Sequence, residues 1–272
     1  MTGRLLDSHL MQQRRGWTPA RVTLAQSIAL AGPVGVSLAE RGAVQIAVLM
    51  TALVACLAWE LAFDLIRGRS PSLHTVTAAL IFAILVPATV PLWQIALAAS
   101  FGVVFGELVF GGRGYGIVSA AAAAAGFLVF SFTGASLSVT SEAVALATLP
   151  GAVLLLWGGL ISWRVLASVA AVLMAVELAR QGLSGLPMVL TTAVFGLVFL
   201  VADPVASAST QWGRWVYGLL AGLLIMLFDT LAGSAIGPAA LVFASLLASL
   251  FAPLIDHLTV AVIVRRRGRV HG

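Results

Sequence analysis

The sequence predicts an all-α polytopic membrane protein, with about ten transmembrane helices arranged as two inverted five-helix repeats. Three features support this fold class: long apolar runs, the placement of the arginines, and a similarity between the two halves of the chain. Of the 272 residues, 61% are hydrophobic and only 9% are charged, with a mean hydropathy of +1.08. A soluble domain has about 25% charged residues. Because so few charges cannot cover a water-facing surface, the lipid bilayer is the expected surroundings.

The helices are predicted from apolar runs, since a spanning helix needs about 20 mostly apolar residues. The runs give ten predicted helices at 22–39, 43–66, 75–90, 92–110, 117–132, 145–161, 165–180, 186–202, 213–231 and 237–263. Several are short or interrupted by proline, as at Pro87, Pro91, Pro150, Pro204 and Pro238. Irregular backbone at membrane depth is stable only when it is buried in protein or lines a cavity, so these interruptions indicate the region of a functional site.

The chain is expected to divide into three parts. Residues 1–21 form a polar, basic N-terminal segment and residues 265–272 a basic tail, both expected in the cytoplasm. Between them, residues 22–264 form the transmembrane domain, whose repeat halves are about 22–132 and 145–264.

The arginines predict the orientation of these helices. All 15 basic residues are arginine, and with ten spans thirteen of them lie on the side that holds both termini, leaving Arg41 and Arg180 on the other. Arginine is enriched in cytoplasmic loops, so both termini are predicted to be cytoplasmic. The net charge of +5 does not indicate nucleic-acid binding, because the arginines lie in short gaps between apolar runs and at the two ends of the chain.

The two halves contain similar segments. Residues 77–88 resemble residues 192–204, and each segment is followed by a helix that begins near a tryptophan, Trp93 or Trp215. Five helices per half would insert the halves in opposite orientations, as in many transporters whose functional sites lie near broken helices.

Ionisable residues within membrane spans are costly and indicate function. Glu60, Asp203 and Asp256 have no arginine near them in sequence, and they are predicted to lie on a cation or proton path. Two other acids have an arginine at helical spacing, and the pairs Asp64–Arg67 and Glu177–Arg180 are expected to be structural. The four histidines are not spaced as metal ligands, and no soluble-enzyme motif occurs.

Several ordered motifs resemble one family. They are the stretch from Glu60 to Arg69, residues 85–94, the Gly-Gly-Arg-Gly loop at 111–114, Asp203 to Ser209, residues 213–218, and residues 250–257. Together they resemble NqrB, a membrane subunit of the sodium-translocating NADH:quinone oxidoreductase (Nqr), and its relative RnfD of the Rnf electron-transport complex. The resemblance covers roughly residues 45 to 265.

The resemblance implies a flavin site. Family members have FMN joined by a phosphoester to the threonine of a Ser-Gly-Ala-Thr type motif, and the matching stretch here is Ala145-Leu-Ala-Thr148. Thr148 is therefore the candidate for covalent FMN, although leucine replaces the glycine of the motif. The residues after Gly116 lack the asparagines that the family typically has there, so a second flavin such as riboflavin is not expected.

The leading hypothesis is thus a multi-pass subunit of an Nqr- or Rnf-like complex in the bacterial inner membrane. It would hold flavin, contact other membrane subunits, and couple electron transfer to Na⁺ or H⁺ movement, as part of an ion-translocating oxidoreductase. The alternative is a flavin-free paralogue that acts as a permease, a channel or an assembly partner. The sequence leaves open which ion moves.

Overall fold

A computed structural model describes residues 19–68, 73–112, 114–181, 193–232 and 237–268, and these residues are mainly helical with no strand among them. The helices are α1 (Pro19–Arg67), α2 (Thr75–Leu85), α3 (Leu92–Val103), α4 (Ala120–Ser131), α5 (Glu142–Trp157), α6 (Trp163–Gln181), α7 (Gln211–Ala232) and α8 (Pro238–Gly268). Two π-helical segments, Val104–Leu108 and Leu197–Val201, complete the described elements.

Helix α1 contains the first two predicted helices in one long run. The run is broken at Gly42, whose φ of 61° and ψ of −142° are not helical. A positive φ costs glycine little because it has no Cβ. Gly42 thus lies where the sequence predicted the connection between residues 39 and 43.

Helix α2 ends earlier than predicted, at Leu85 instead of residue 90. Pro87 and Pro91 explain the difference, because proline has no N–H to continue the helical hydrogen bonds. The predicted helix 92–110 is present as one apolar helix over Leu92–Leu108, whose last part, Val104–Leu108, is π-helical. The expected interruption at Pro150 is also wrong, since α5 continues through it to Trp157.

Among the residues that the structure describes, three helices are long and apolar enough to cross a membrane: Ala20–Arg67 in α1, Gln211–Leu231 in α7 and Pro238–Val262 in α8. The other apolar helices within the described ranges are shorter than 18 residues, apart from α6. The all-helical membrane fold class is confirmed in this coarser form. The count of ten spans in two inverted repeats stays a prediction, and residues 186–192 of the predicted eighth helix lie outside the described ranges.

Small residues allow the helices to approach closely. A Cβ added at Gly102 of α3 would lie 2.5 Å from the Ala120 carbonyl oxygen and the Ala124 Cβ of α4. A Cβ at Gly32 of α1 would lie 2.9 Å from the Ala147 carbonyl oxygen of α5. Glycine and alanine at helix interfaces are typical of membrane proteins, where packing holds the helices together.

Arg41 ties the break in α1 to the end of α2. Its guanidinium donates to the carbonyl oxygens of Ile84 at 3.2 Å and Val86 at 3.1 Å, and to Ser138 Oγ at 2.6 Å. The last carbonyls of a helix lack partners within that helix. Arg41 satisfies them and thereby fixes this end of the bundle.

Candidate functional site

Glu60 is completely buried in α1, and each of its carboxylate oxygens faces two donors. Oε1 accepts from the His74 backbone N–H at 3.1 Å and lies 2.8 Å from His74 Nδ1. Oε2 accepts from the Thr75 N–H at 3.2 Å and the Thr75 hydroxyl at 2.6 Å. An ionised carboxylate has about four lone-pair sites. Its oxygens therefore face four donor groups, an arrangement that suits an ionised carboxylate, and Glu60 caps the N-terminus of α2.

His74 connects Glu60 to a second acid. Its other ring nitrogen, Nε2, lies 3.6 Å from Oε2 of Glu107 in the π-helical segment. The exposed fraction of the side chain rises along the series, from 0% for Glu60 to 5% for His74 and 15% for Glu107. We call Glu60, His74 and Glu107 the EHE cluster.

The local backbone explains how the cluster assembles. His74 and Thr75, at the start of α2, lie against Glu60 of α1. Glu107 lies in the π-helical segment, a local widening that is common at functional sites. Gly112, with a φ of 99°, passes over the imidazole, where an added Cβ would lie 3.8 Å from Cε1.

The sequence predicted Glu60 as a site residue but not its partners. His74 was one of four histidines without metal-ligand spacing, and Glu107 is 47 residues from Glu60 along the chain. One signal in the sequence could have indicated the pair. His74 directly precedes a helix, and only a short connection separates it from the apolar run that contains Glu60.

Asp256 of α8 is held by a different set of donors. Its Oδ2 accepts from Ser209 N–H and Oγ, both at 2.8 Å, and its Oδ1 accepts from Thr210 N–H at 3.0 Å and Oγ1 at 2.6 Å. Asp203 lies at the start of the same connection and accepts from the N–H groups of Val205 and Ala206. These two predicted site residues thus hold the connection that leads into α7, and their bonds lie apart from those of the EHE cluster.

Thr148 lies within α5, two turns after the helix begins at Glu142. Its side chain is fully buried, and its hydroxyl donates to the Val144 carbonyl oxygen at 2.8 Å. The neighbouring turn of α5, at Gly151, contacts the backbone of Ala29 in α1 so closely that a Cβ would clash.

FMN does not fit at Thr148 in this geometry. A phosphoester would need the hydroxyl oxygen to face a space that admits a phosphate. Here the oxygen is covered by protein and points back along its own helix.

The two arginines of the expected ion pairs have other partners. Arg180 donates to Asp229 Oδ2 of α7 at 3.2 Å, so its partner is not Glu177 as predicted. Arg67 lies over the ring of Phe63, 5.1 Å from its centroid, instead of pairing with Asp64. Burial alone does not select between the two acids, since Asp229 is 3% exposed and Glu177 4%; the guanidinium of Arg180 reaches across to Asp229 on the neighbouring helix.

The EHE cluster brings together three groups that can each bind a proton. Histidine changes its charge near neutral pH, and its two ring nitrogens can exchange protons with different partners. Within the described residues, no group of three or more His, Cys, Asp or Glu side chains is arranged to hold a metal ion.

Comparisons with known proteins agree with the resemblance drawn from the motifs. The chain matches the NQR2, RnfD, RnfE family over residues 8–141 and again over residues 132–265. It is 28% identical over 264 residues to the NqrB subunit of the Na(+)-translocating NADH-quinone reductase of Stutzerimonas stutzeri, an alignment that covers 77% of this chain and 65% of the relative. The NqrB of Pseudomonas aeruginosa is 30% identical with the same coverage. The NqrB of Haemophilus influenzae is 28% identical over 80% of this chain. The chain thus spans about 65% of the length of the first two relatives.

Proposed function

The chain belongs to the NQR2, RnfD, RnfE family, and from this membership we propose that it is an integral membrane subunit of an Nqr- or Rnf-type electron-transport complex. The complex lies in the bacterial cytoplasmic membrane, with both termini of this chain in the cytoplasm. It couples electron transfer to the translocation of Na⁺ or H⁺. The names of the relatives, which are subunits of a Na⁺-translocating NADH-quinone reductase, support this role.

The observation that carries the ion-translocating role is the burial of Glu60. A carboxylate inside a membrane span is costly and is retained where it has a task. Glu60 is 0% exposed in the middle of an apolar run and is linked through His74 to Glu107. We place Glu60 on the ion path, together with Asp203 and Asp256, whose carboxylates lie where α8 meets the connection into α7.

Copurification tests the proposed assembly. We expect the affinity-tagged chain, extracted from its native membranes in mild detergent, to bring down other membrane subunits of an Nqr- or Rnf-type complex, identified by mass spectrometry. A tagged unrelated polytopic protein from the same membranes is the control. Recovery of the chain with no such subunit, under conditions that preserve other membrane complexes, would contradict the proposal.

The geometry at Thr148 favours a second candidate, a flavin-free paralogue that works as a permease, a channel or an assembly partner. A buried hydroxyl that donates to its own helix does not serve as an anchor for FMN. The two candidates share the scaffold and the ion path. They differ in whether the chain itself takes part in the electron transfer.

Flavin fluorescence separates the two candidates. When the chain is co-expressed with a flavin transferase and run on a denaturing gel, we expect no fluorescent band, because the Thr148 hydroxyl is covered. An NqrB relative with an intact Ser-Gly-Ala-Thr motif is the positive control. A band that is lost in Thr148→Val but kept in Ser141→Ala would show that Thr148 bears flavin and would eliminate the flavin-free candidate.

A further inference from the structure

We propose that Tyr217 is a positioning residue for Asp203. Its hydroxyl takes the place of a backbone donor at the end of the π-helical segment Leu197–Val201, and this leaves a backbone N–H for the Asp203 carboxylate. The proposal rests on the ion-path role proposed above for Asp203. It gives a task to a buried tyrosine that was not among the predicted site residues.

The first step concerns the backbone at the end of the π-helical segment. In a continuing α-helix, the N–H of Val205 would donate to the carbonyl oxygen of Val201, four residues earlier. Here the Val205 N–H donates to Asp203 Oδ1 at 2.8 Å instead, and Pro204 has no N–H to offer. The helical hydrogen bonds therefore end, and the carbonyl of the fully buried Val201 needs another donor.

The second step is the donor that Val201 receives. The Tyr217 hydroxyl donates to the Val201 carbonyl oxygen at 3.1 Å from helix α7. The side chain of Tyr217 is 0% exposed, so the packing around its ring fixes the position of the hydroxyl. A buried carbonyl without a donor is costly. Loss of the hydroxyl would therefore favour the return of the Val205 N–H to Val201.

The third step is the consequence for the carboxylate. Asp203 Oδ1 accepts from the N–H groups of Val205 at 2.8 Å and Ala206 at 3.3 Å. These bonds hold the carboxylate against its own connection, and because both are made by Oδ1, neither occupies Oδ2. Since the Tyr217 hydroxyl satisfies Val201, the Val205 N–H remains available to Asp203. Tyr217 thus orients the carboxylate through the backbone between them.

The first half of the chain has the same carbonyl with a different donor. When the two similar segments are aligned from their first residues, Val86 lies opposite Val201. The Val86 carbonyl oxygen accepts from the Arg41 guanidinium at 3.1 Å, the same distance as the bond from Tyr217 to Val201. The carbonyl at the end of each segment is therefore satisfied by a side chain from another helix.

The two donors differ in charge. Arginine is always charged in a protein, and the residue that follows its carbonyl in the first half is Ala88, opposite Asp203 in the alignment. In the second half an acid occupies that position, and the neutral Tyr217 hydroxyl satisfies the carbonyl without adding a positive charge beside it. A fixed cation at this point would attract the carboxylate and compete with a mobile ion. The choice of tyrosine thus suits an acid that binds an ion.

The first measurement is ¹³C NMR of the full chain in detergent, labelled at the side-chain carboxyl carbon of aspartate. The Asp203 signal is the one missing from the spectrum of Asp203→Asn. In Tyr217→Phe, which keeps the ring and removes the hydroxyl, we expect the Asp203 signal to shift, while the signal of Asp229, assigned in the same way, stays in place. Tyr115→Phe is the matched control, because it removes the hydroxyl of an exposed tyrosine and should leave the Asp203 signal unchanged.

The second measurement reverses the perturbation and leaves Tyr217 intact. The chain is labelled at the ring carbon that bears the tyrosine hydroxyl, which gives one signal for each of its two tyrosines. Tyr115→Phe assigns them. In Asp203→Ala the Val205 N–H loses its acceptor and can return to Val201 in competition with the Tyr217 hydroxyl. Because coupling between two sites is reciprocal, we expect the Tyr217 signal to shift and the Tyr115 signal to stay.

An Asp203 signal that keeps its wild-type position in Tyr217→Phe would overturn the proposal. So would a Tyr217 signal that keeps its position in Asp203→Ala, or shifts of Asp203 that are equal in Tyr217→Phe and Tyr115→Phe. Both measurements use the chain alone, so the proposal can fail while copurification confirms the proposed complex. Conversely, copurification can fail while the two signals shift as expected.

Discussion

Replacing Glu60 with alanine is expected to lower the free energy of unfolding by about 3–5 kcal/mol, the range found when one partner of a buried ion pair is removed. The substitution leaves the His74 N–H, the Thr75 N–H and the Thr75 hydroxyl without their acceptor at the start of α2. Because the position is fully buried, water cannot replace the lost acceptor without opening the packing. The change is measured as a lower midpoint of thermal unfolding in detergent, followed by tryptophan fluorescence.

Glu142→Ala is the matched control for this substitution. Glu142 is exposed in the first turn of α5, where its loss removes only a favourable interaction with the helix dipole of about 0.3–1 kcal/mol. If Glu60→Ala unfolded at the wild-type midpoint, the hydrogen bonds described for the carboxylate would not exist in the protein, and the EHE cluster would have no structural basis.

Much of the fold could be predicted from local sequence properties. The break at Gly42 was placed correctly because an arginine and a glycine interrupt two apolar runs there. The predicted end of α2, at residue 90, was too late because the apolar run continues past Pro87. Composition alone did not show that the helical hydrogen bonds end at Leu85, before that run does. Hydropathy therefore located the apolar runs better than it located their ends.

The candidate site was less accessible to sequence reasoning. Glu60 could be predicted because an acid in an apolar run is conspicuous. Its partnership with His74 and Glu107 depends on how α2 and the π-helical segment pack against α1. For Thr148, the motif indicated the position but could not show that the side chain is buried in a helix that packs closely on α1.

The same limit applies to Asp256. Its isolation from arginine in the sequence indicated an ion path, and that assignment stays a prediction. What the sequence could not show is that four donors from Ser209 and Thr210, 47 and 46 residues away, converge on its carboxylate. Contacts of this separation arise from the packing of α8 against α7 and have no local signature.

Donor-driven ion uptake by inverted membrane vesicles tests the central claim most directly. Vesicles from a strain that lacks this chain are compared with vesicles from the same strain complemented by the wild-type gene, with NADH or reduced ferredoxin as electron donor. Because we propose that the chain is a membrane subunit of an ion-translocating complex, we expect the complemented vesicles to accumulate ions and the deficient vesicles to lose that component of the uptake. ATP-driven H⁺ uptake by both preparations shows that the vesicles are equally sealed. Equal donor-driven uptake of both Na⁺ and H⁺ with and without the chain would contradict the account.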